Sequence, residues 1–283
     1  MTGDDQLATA RWHRLVSDRV AEMKRLAPEL GSLSGPFWEG RADRYAKSVS
    51  LGDSEGEPFL RRLRRVAQPS STAIDVGAGT GRFALPLAMD VRQVTAVDPS
   101  EAMLTVLRRE AEGLGLTNLD LVNASWEDAG VESADIAFSS FVLTLVPDAG
   151  AFVTKLEAAA RRHVFLYLGA YCGDAVLDPL WRHFHGVPRS PGPSYLDAIA
   201  VLRELGIDPE VRVVEIVNRK RFATVGEAVE HYREWLLLAD TPEIARELEG
   251  LLATWLLGRR GALRSPLPTQ PAAILHWRPR ARR

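Results

Sequence analysis

The chain's 283 residues carry 35 Lys and Arg against 37 Asp and Glu, a net charge of −2, with 46% hydrophobic and 25% charged residues. This is the balance of a folded globular chain: it excludes wholesale disorder and gives no global positive field to gather nucleic acid. The one cysteine, Cys172, excludes an intrachain disulfide and a cysteine-cluster zinc site, and no apolar run nears the ~20 residues that span a bilayer. The acidic start, Met1 to Asp5, lacks the basic-then-apolar order of a signal peptide. A soluble, reduced, cytosolic protein is expected, with one large domain or one domain and an appendage.

Residues 1–70 read as a helical N-terminal cap. Apolar residues recur near helical spacing at Leu15, Val16, Val20, Met23 and Leu26, break at Pro28 and Gly31 to Pro36, and resume over 37–47. Leu60 to Val66 form a basic helix end before Pro69. From 71 to 170 strand and helix alternate. Apolar runs at Thr72–Val76, Val94–Val97, Leu119–Val122, Ile136–Phe141 and Val164–Leu168 are separated by helical patterns at 81–89, 100–113 and 149–161. That alternation implies parallel βαβ units, helices on both faces and a doubly wound α/β sheet. Residues 171–283 open on an irregular stretch, Cys172 to Pro193, followed by a helix (Tyr195–Leu205) and a strand (Val211–Val217). Two helices come next. Thr224 and Glu227 have capping-box spacing, and Thr241-Pro242 fits an N-cap with proline at the first helical position. A strand, Ala272–Trp277, precedes a basic tail, Arg278 to Arg283, that is expected to fray.

The segment Asp75-Val-Gly77-Ala-Gly79-Thr-Gly81 leaves the first strand and opens a helix. Glycines there admit positive φ and let a ligand approach the backbone. Asp98 closes the next strand, 21 residues after Gly77, where a carboxylate can accept both hydroxyls of a ribose. The alternative, a tight strand-to-helix connection, has no need of that acid. A dinucleotide fingerprint would place its third glycine at position 82, which is Arg82, and Asp75 would repel a pyrophosphate but suit an ammonium group. A ligand with a ribose and an amino-acid tail therefore fits better than NAD.

Residues 73–103, through Asp98-Pro-Ser-Glu-Ala-Met103, resemble the first two motifs of class I S-adenosylmethionine-dependent methyltransferases. Asn123-Ala124 is similar to the family's Asp-Ala pair beside the adenine, Asp135 to Asp148 to its fourth strand and following turn, and Phe37 to Tyr45 to an entry helix of small-molecule members. The resemblance covers about 37–170. It implies a mostly parallel, seven-stranded Rossmann-like sheet, S-adenosyl-L-methionine as cofactor, and methyl transfer. It also implies that Gly77, Ala78, Gly79 and Gly81 line the cofactor's methionine and ribose, with Asp98 on the ribose hydroxyls and Pro99 beside it. Met103 would pack near the adenine. Asn123 and the Ala124 N–H would meet the adenine edge, Asn123 more weakly than the usual acid. Trp126 would stack on the base or serve as a core aromatic. Ser139, Ser140 and Phe141 would sit under the transferable methyl, and Arg41 and Tyr45 would hold the methionine carboxylate or lie on a solvated helix face. The cofactor carries the reactive methyl, so the protein's task is chiefly alignment, and a catalytic dyad is not required.

Ligands of a doubly wound sheet sit beyond the carboxyl ends of its strands. If the last strand runs antiparallel, residues 169–195 and 218–271 both emerge there, and the helices of 223–260 form a lid over an enclosed pocket or, alternatively, a dimer contact. Candidate catalytic groups are His183, His185 and Tyr195, with Trp181 as an apolar wall. The two histidines flank Phe184, so on an extended segment both would face one side, one of them as general base. A metal site would need a third ligand, and among Asp174, Asp178 and Asp197 no spacing singles one out, so no metal is expected. His163, at the far end of its strand, reads as structural. The expected partner is a small-molecule acceptor, with no membrane and a monomer or homodimer. The alternatives are an RNA or protein substrate, favoured by Arg61 to Arg65 and the arginine tail, a non-catalytic nucleoside-binding protein, and, last, an NAD-dependent oxidoreductase.

Overall fold

The alternation of strand and helix is present throughout a computed structural model, which describes residues 7–28, 38, 42–48, 56–170, 177–218, 220–259, 261–266 and 269–280. Helices α1 (Ala8–Leu26), α2 (Ala42–Ser48) and α3 (Pro58–Val66) precede strand β1 (Thr72–Val76). Then come α4 (Ala84–Ala88), β2 (Gln93–Asp98), α5 (Glu101–Gly113), β3 (Leu119–Asn123), β4 (Ala134–Ser140), α6 (Ala149–Ala159) and β5 (Ala160–Gly169). The remainder is α7 (Asp178–His185), α8 (Tyr195–Glu204), β6 (Glu210–Val217), α9 (Val225–Trp235), α10 (Pro242–Trp255) and β7 (Thr269–Trp277).

The strands form one sheet in the order β3-β2-β1-β4-β5-β7-β6. The first five are parallel, and β7 runs antiparallel between β5 and β6. The strand order reverses between β1 and β4, which opens a crevice at their carboxyl ends. One core lies against each face of the sheet. Trp12 of α1 joins Phe152, Leu156, Val201 and Leu202 on one side; Phe59 and Leu63 of α3 join Phe83, Leu107 and Phe138 on the other. A third core, built on Trp181, Tyr232, Leu236, Leu248 and Leu252, lies among α7, α9, α10 and the residues at their ends, and Leu26 of α1 packs against it.

Helix α1 is a fixed wall. Its Trp12 is fully buried, and the indole N–H donates to Val146 O at 2.8 Å. Glu204 of α8 accepts from the Thr9 amide (3.1 Å) and hydroxyl (2.7 Å), and Arg11 pairs with Asp197 at 2.9 Å. The cap helices begin where their side chains satisfy first-turn amides. Thr224 Oγ1 accepts from Glu227 N (3.2 Å) while the Glu227 carboxylate accepts from Ala223 N (2.7 Å), and Thr241 Oγ1 accepts from Ile244 N.

Two local expectations are corrected. The stretch from Cys172 to Pro193 is not irregular throughout: α7 starts with Pro179 in its first turn and stops at Gly186, whose φ of +69° is the left-handed cap that glycine adopts without strain. Cys172 and Asp174 lie outside the described residues. The tail is tied down as far as Arg280, whose guanidinium Nε donates to Glu157 at 3.1 Å. None of the described helices is long and apolar enough to cross a membrane.

Candidate active site

The turn after β1 needs glycine for three separate backbone angles: Gly77, Gly79 and Gly81 have φ of +74°, +54° and +90°. Space forbids a side chain as well. A Cβ on Gly77 would lie 2.2 Å from Val142 Cγ2, and one on Gly81 would lie 2.8 Å from Leu85 Cγ. The turn is fastened to β2 by the Gly77 and Ala78 amides, which both donate to Val97 O. The result is a shallow backbone trough, with Val142 and Leu85 packed against Gly77 and Gly81 and open space beside Gly79.

Asp98 stands at the rim of that trough. One carboxylate oxygen accepts from Gly79 N at 2.8 Å and the other from Ser100 N at 2.9 Å, so the group is oriented before any ligand arrives. Burial raises its pKa, while the Ser100 and Gly79 amides pull it back down. Asn123 donates to Asp98 O at 3.2 Å, which holds the end of β3 against β2. Ser100 caps α5 through Met103 N, and Met103 is buried against α2 with Trp38 and Tyr45.

Asp75 is 1% exposed, and its Oδ1 has no hydrogen-bond partner. Burial, then the Asp98 charge, push its pKa well above the usual carboxylate value, opposed by the Ala84 backbone amide. A buried carboxylate oxygen without a donor is costly unless a ligand supplies one. Tyr45 is half-buried beside the same acids: burial raises its pKa, Arg82 lowers it, and Asp98 and Asp75 raise it further. Arg82, at the position where a dinucleotide site would have glycine, pairs with the buried Glu57, and the Tyr167 hydroxyl donates to the other Glu57 oxygen at 3.1 Å. Phe141, the residue after β4, has φ of +59°, a strained angle for a phenylalanine; its N–H donates to Tyr167 O at 2.7 Å. That bend brings Val142 against Gly77.

A cavity of about 800 Å³ runs from this trough to the cap. Gly77, Pro99, Ala124 and Trp126 line its sheet end, α1 lines one flank through Val16, Val20 and Met23, and Tyr232, Trp235 and Leu237 line the cap end. Trp126 is 5% exposed, donates to Phe152 O at 3.2 Å and lies under Lys155 Nζ at 4.9 Å. It is thus a core aromatic with one surface on the cavity. Ser139 donates to Val76 O at 2.8 Å, and Ser140 ends β4 beside Tyr167. Arg41 lies outside the described residues.

His183, His185 and Tyr195 do not line the cavity. The extended segment that would turn both histidines one way is a helix, where residues two apart diverge by about 200°. His183 meets Glu247 Oε1 at 2.8 Å, and His185 meets Leu236 O at 2.7 Å with its ring 4.3 Å from Trp181. Both therefore bind cap elements to one another. Tyr195, the first residue of α8, packs against the core under α1. The polar residues towards the cap end of the cavity include Arg19, Arg189, Lys220, His231 and Tyr232. Sequence reasoning passed over them: α1 and α9 read only as amphipathic helices, and nothing local says which helix face meets the sheet end. Burial pushes the Tyr232 pKa up to about 12, partly offset by a hydrogen bond with Ser265. Among the described residues no three His, Cys, Asp or Glu side chains converge on a possible metal position.

The trough, the oriented Asp98 and the partnerless Asp75 oxygen fit a nucleoside with an ammonium-bearing tail, and the comparisons agree with that chemistry. A family described as "Methyltransferase domain" matches residues 73–162. The chain is 29% identical over 183 residues to an uncharacterised protein of Haemophilus influenzae, covering 63% of this chain and 66% of that one. It is 31% identical over 150 residues to the ubiquinone biosynthesis O-methyltransferase of Methylocella silvestris, covering 50% and 58%. Each match spans less than two thirds of the relative's own length. In fold it is similar to a Bacillus halodurans C-125 crystal structure described as a methyltransferase, with a TM-score of 0.56 at 17% identity over 81% of this chain and 100% of the other. The family match falls on the strands and turn that carry Asp75 and Asp98, so residues 73–162 are similar to a methyltransferase domain, and the fold is that of the Bacillus halodurans structure.

Proposed function

We propose that this protein transfers a methyl group from S-adenosylmethionine to a small molecule held at the cap end of the cavity. The observation that carries this reading is the continuity of that cavity. One space of about 800 Å³, in the range that holds small ligands, joins the glycine trough to a largely apolar chamber walled by α1 and the cap. The named relative from Methylocella silvestris acts in ubiquinone biosynthesis, which is in keeping with a small acceptor. A cytosolic setting fits the single cysteine.

When bound, the cofactor supplies a methyl group on a positively charged sulfur, which leaves as a neutral thioether. The chain's own residues hold and align. Gly77 to Gly81 and Asp98 seat the nucleoside, and Asp75 offers its open oxygen to the ammonium group. Val142, Leu145 and Pro147 exclude water beyond the strand ends. The Tyr232 hydroxyl stays protonated at neutral pH and can donate to an acceptor oxygen, and the neighbouring His231 is placed to take a proton from an acceptor that carries one.

Titration calorimetry with S-adenosylmethionine, S-adenosylhomocysteine and NAD tests the cofactor half. Binding of both sulfur nucleosides and none of NAD is expected. An assay of S-adenosylhomocysteine release over a panel of phenols, carboxylic acids, amines, tRNA and protein tests the rest. Turnover of tRNA or protein alone would overturn the small-acceptor reading.

A further inference from the structure

We propose that β6 is a self-association edge: two copies of the chain pair antiparallel along this strand, about a two-fold axis at Val214, and join their sheets into one. The inference is independent of the cofactor and of the acceptor.

Strand β6 (Glu210–Val217) ends the sheet and is bonded to β7 on one side. Among the described residues no strand pairs with its other side, so alternate N–H and C=O groups along it face outward, a template for a further strand. Its side chains divide between the two faces of the sheet. Val214 and Ile216 pack against the core that holds Phe59 and Leu63 of α3. Val211, Val213 and Val217 take the opposite face and are 40%, 54% and 53% exposed. An open ladder and an uncovered apolar row therefore coincide on one strand, and one added strand would cover both.

The order of charges selects a second copy of this chain as that strand. Asp208 and Glu210 stand at the start of β6, and Lys220 and Arg221 follow its end. Antiparallel self-pairing sets the acidic start of each copy beside the basic end of the other, whereas parallel pairing would set like beside like. The acids also have partners in their own chain: Arg203 lies 3.8 Å from Asp208, and Arg62 pairs with Glu210. The charges thus set direction and register, while the ladder and the valines supply the binding.

A two-fold axis normal to the sheet keeps every side chain on its own face, so the axis must pass through a residue. At Arg212 or Glu215 it would bring like charges opposite one another. At Val213 it would set Val211 against Glu215 and Val217 against Pro209. At Val214 it sets Val211 of each copy opposite Val217 of the other, brings the two Val213 side chains onto one diagonal, and places Asp208 opposite Lys220. Asn218 and Lys220 also line the cavity, so the interface ends on a segment of the cavity wall.

Sedimentation velocity of the full chain over about a hundredfold range of concentration should show a reversible dimer. Val213→Lys, at an exposed position, should keep the wild-type circular dichroism and weaken the dimer tenfold or more; Val211→Lys gives the same reading should the first variant fold poorly. Register is tested by cysteine. With Cys172→Ser removing the one native cysteine, Val214→Cys should form a disulfide between copies on mild oxidation, because a residue opposite itself has Cα atoms about 4.5–5.5 Å apart. Arg212→Cys in the same background should stay unlinked. A monomer at every concentration, a dimer untouched by both lysine variants, or a link through Arg212→Cys and not Val214→Cys would overturn the proposal.

Discussion

Replacing Asp75 with asparagine should stabilise the empty protein and weaken the cofactor complex. The carboxylate is 1% exposed, one of its oxygens has no donor, and burial with the Asp98 charge raises its pKa. Asn keeps an acceptor for the Ala84 amide and removes the buried charge, at the cost of an amide NH₂ that still lacks a partner. The net gain in the empty state is about 1–2 kcal/mol, or a few degrees in Tm for a chain of this size. The pH dependence has a defined sign. A carboxyl whose folded pKa is raised binds more protons folded than unfolded, so wild-type stability falls as pH rises from about 4 through the raised value. The variant lacks that fall, so its advantage is small in acid and grows towards alkaline pH. Cofactor reverses the order. At a concentration of 100 times the wild-type Kd the wild type gains about 2.7 kcal/mol, whereas a variant bound 10- to 100-fold more weakly gains only about 1.4 to 0.4 kcal/mol. Thermal melts at pH 5 and pH 8, with and without S-adenosylmethionine, read all four states. A variant less stable than wild type without cofactor at pH 8, or one with unchanged cofactor affinity, would refute the reasoning.

Asp98→Ala removes the acceptor for Gly79 N and Ser100 N along with the ribose contact. Calorimetry should show S-adenosylmethionine bound about 10- to 100-fold more weakly. Gly77→Ala forces a Cβ to 2.2 Å from Val142 Cγ2 at a φ of +74°, so a loss of about 2–5 kcal/mol in urea unfolding is expected. Adding Val142→Ala should recover the steric part and leave the backbone part. His163 is 7% exposed, and burial, followed by the His276 charge, lowers its pKa to about 4. Unfolded chains take up that proton near pH 6.5, so acid should cost on the order of 3 kcal/mol between pH 6.5 and 4, and His163→Gln should flatten that slope in pH-jump denaturation.

The cofactor half was legible because its constraints are local. A turn that must reach three positive φ values needs Gly77, Gly79 and Gly81, and a strand of known length puts Asp98 beside them. The cap half depends on pairings far apart in sequence. Thr9 meets Glu204, Arg19 meets Ser190, and Phe222 meets Leu263 across an isolated bridge, and no periodicity announces such partners. Helix α7 was hidden by its own composition, although Pro179 and Gly186 stood at its ends as start and stop signals. Taking it as extended substituted a period of two for one of 3.6, and that single step placed His183 and His185 on one face. His231 and Tyr232 were visible only as part of an amphipathic helix, because the chain alone does not say which turn of α9 faces the sheet.

The division into cores bears on how the two ligands are held. The trough rests on the sheet, whose cores fill both faces, while Trp181, Leu248 and Leu252 form a core within the cap. Histidines 183 and 185 tie α7 to α10 and to the end of α9, inside that same unit. The cap meets α1 through Leu26, which packs against the cap core, and through Ser190 against Glu22 and Arg19. The hydrogen bonds of that joint each contribute roughly 0.5–3 kcal/mol. Changes at Asp75 or Asp98 should act on cofactor affinity without disturbing the cap core, and changes at Leu248 should act on the cap core without disturbing the trough. Sites that share no partner are expected to behave additively. A double variant of Asp98 and Leu248 whose stability effects depart from additivity would mean that the trough and the cap are mechanically one.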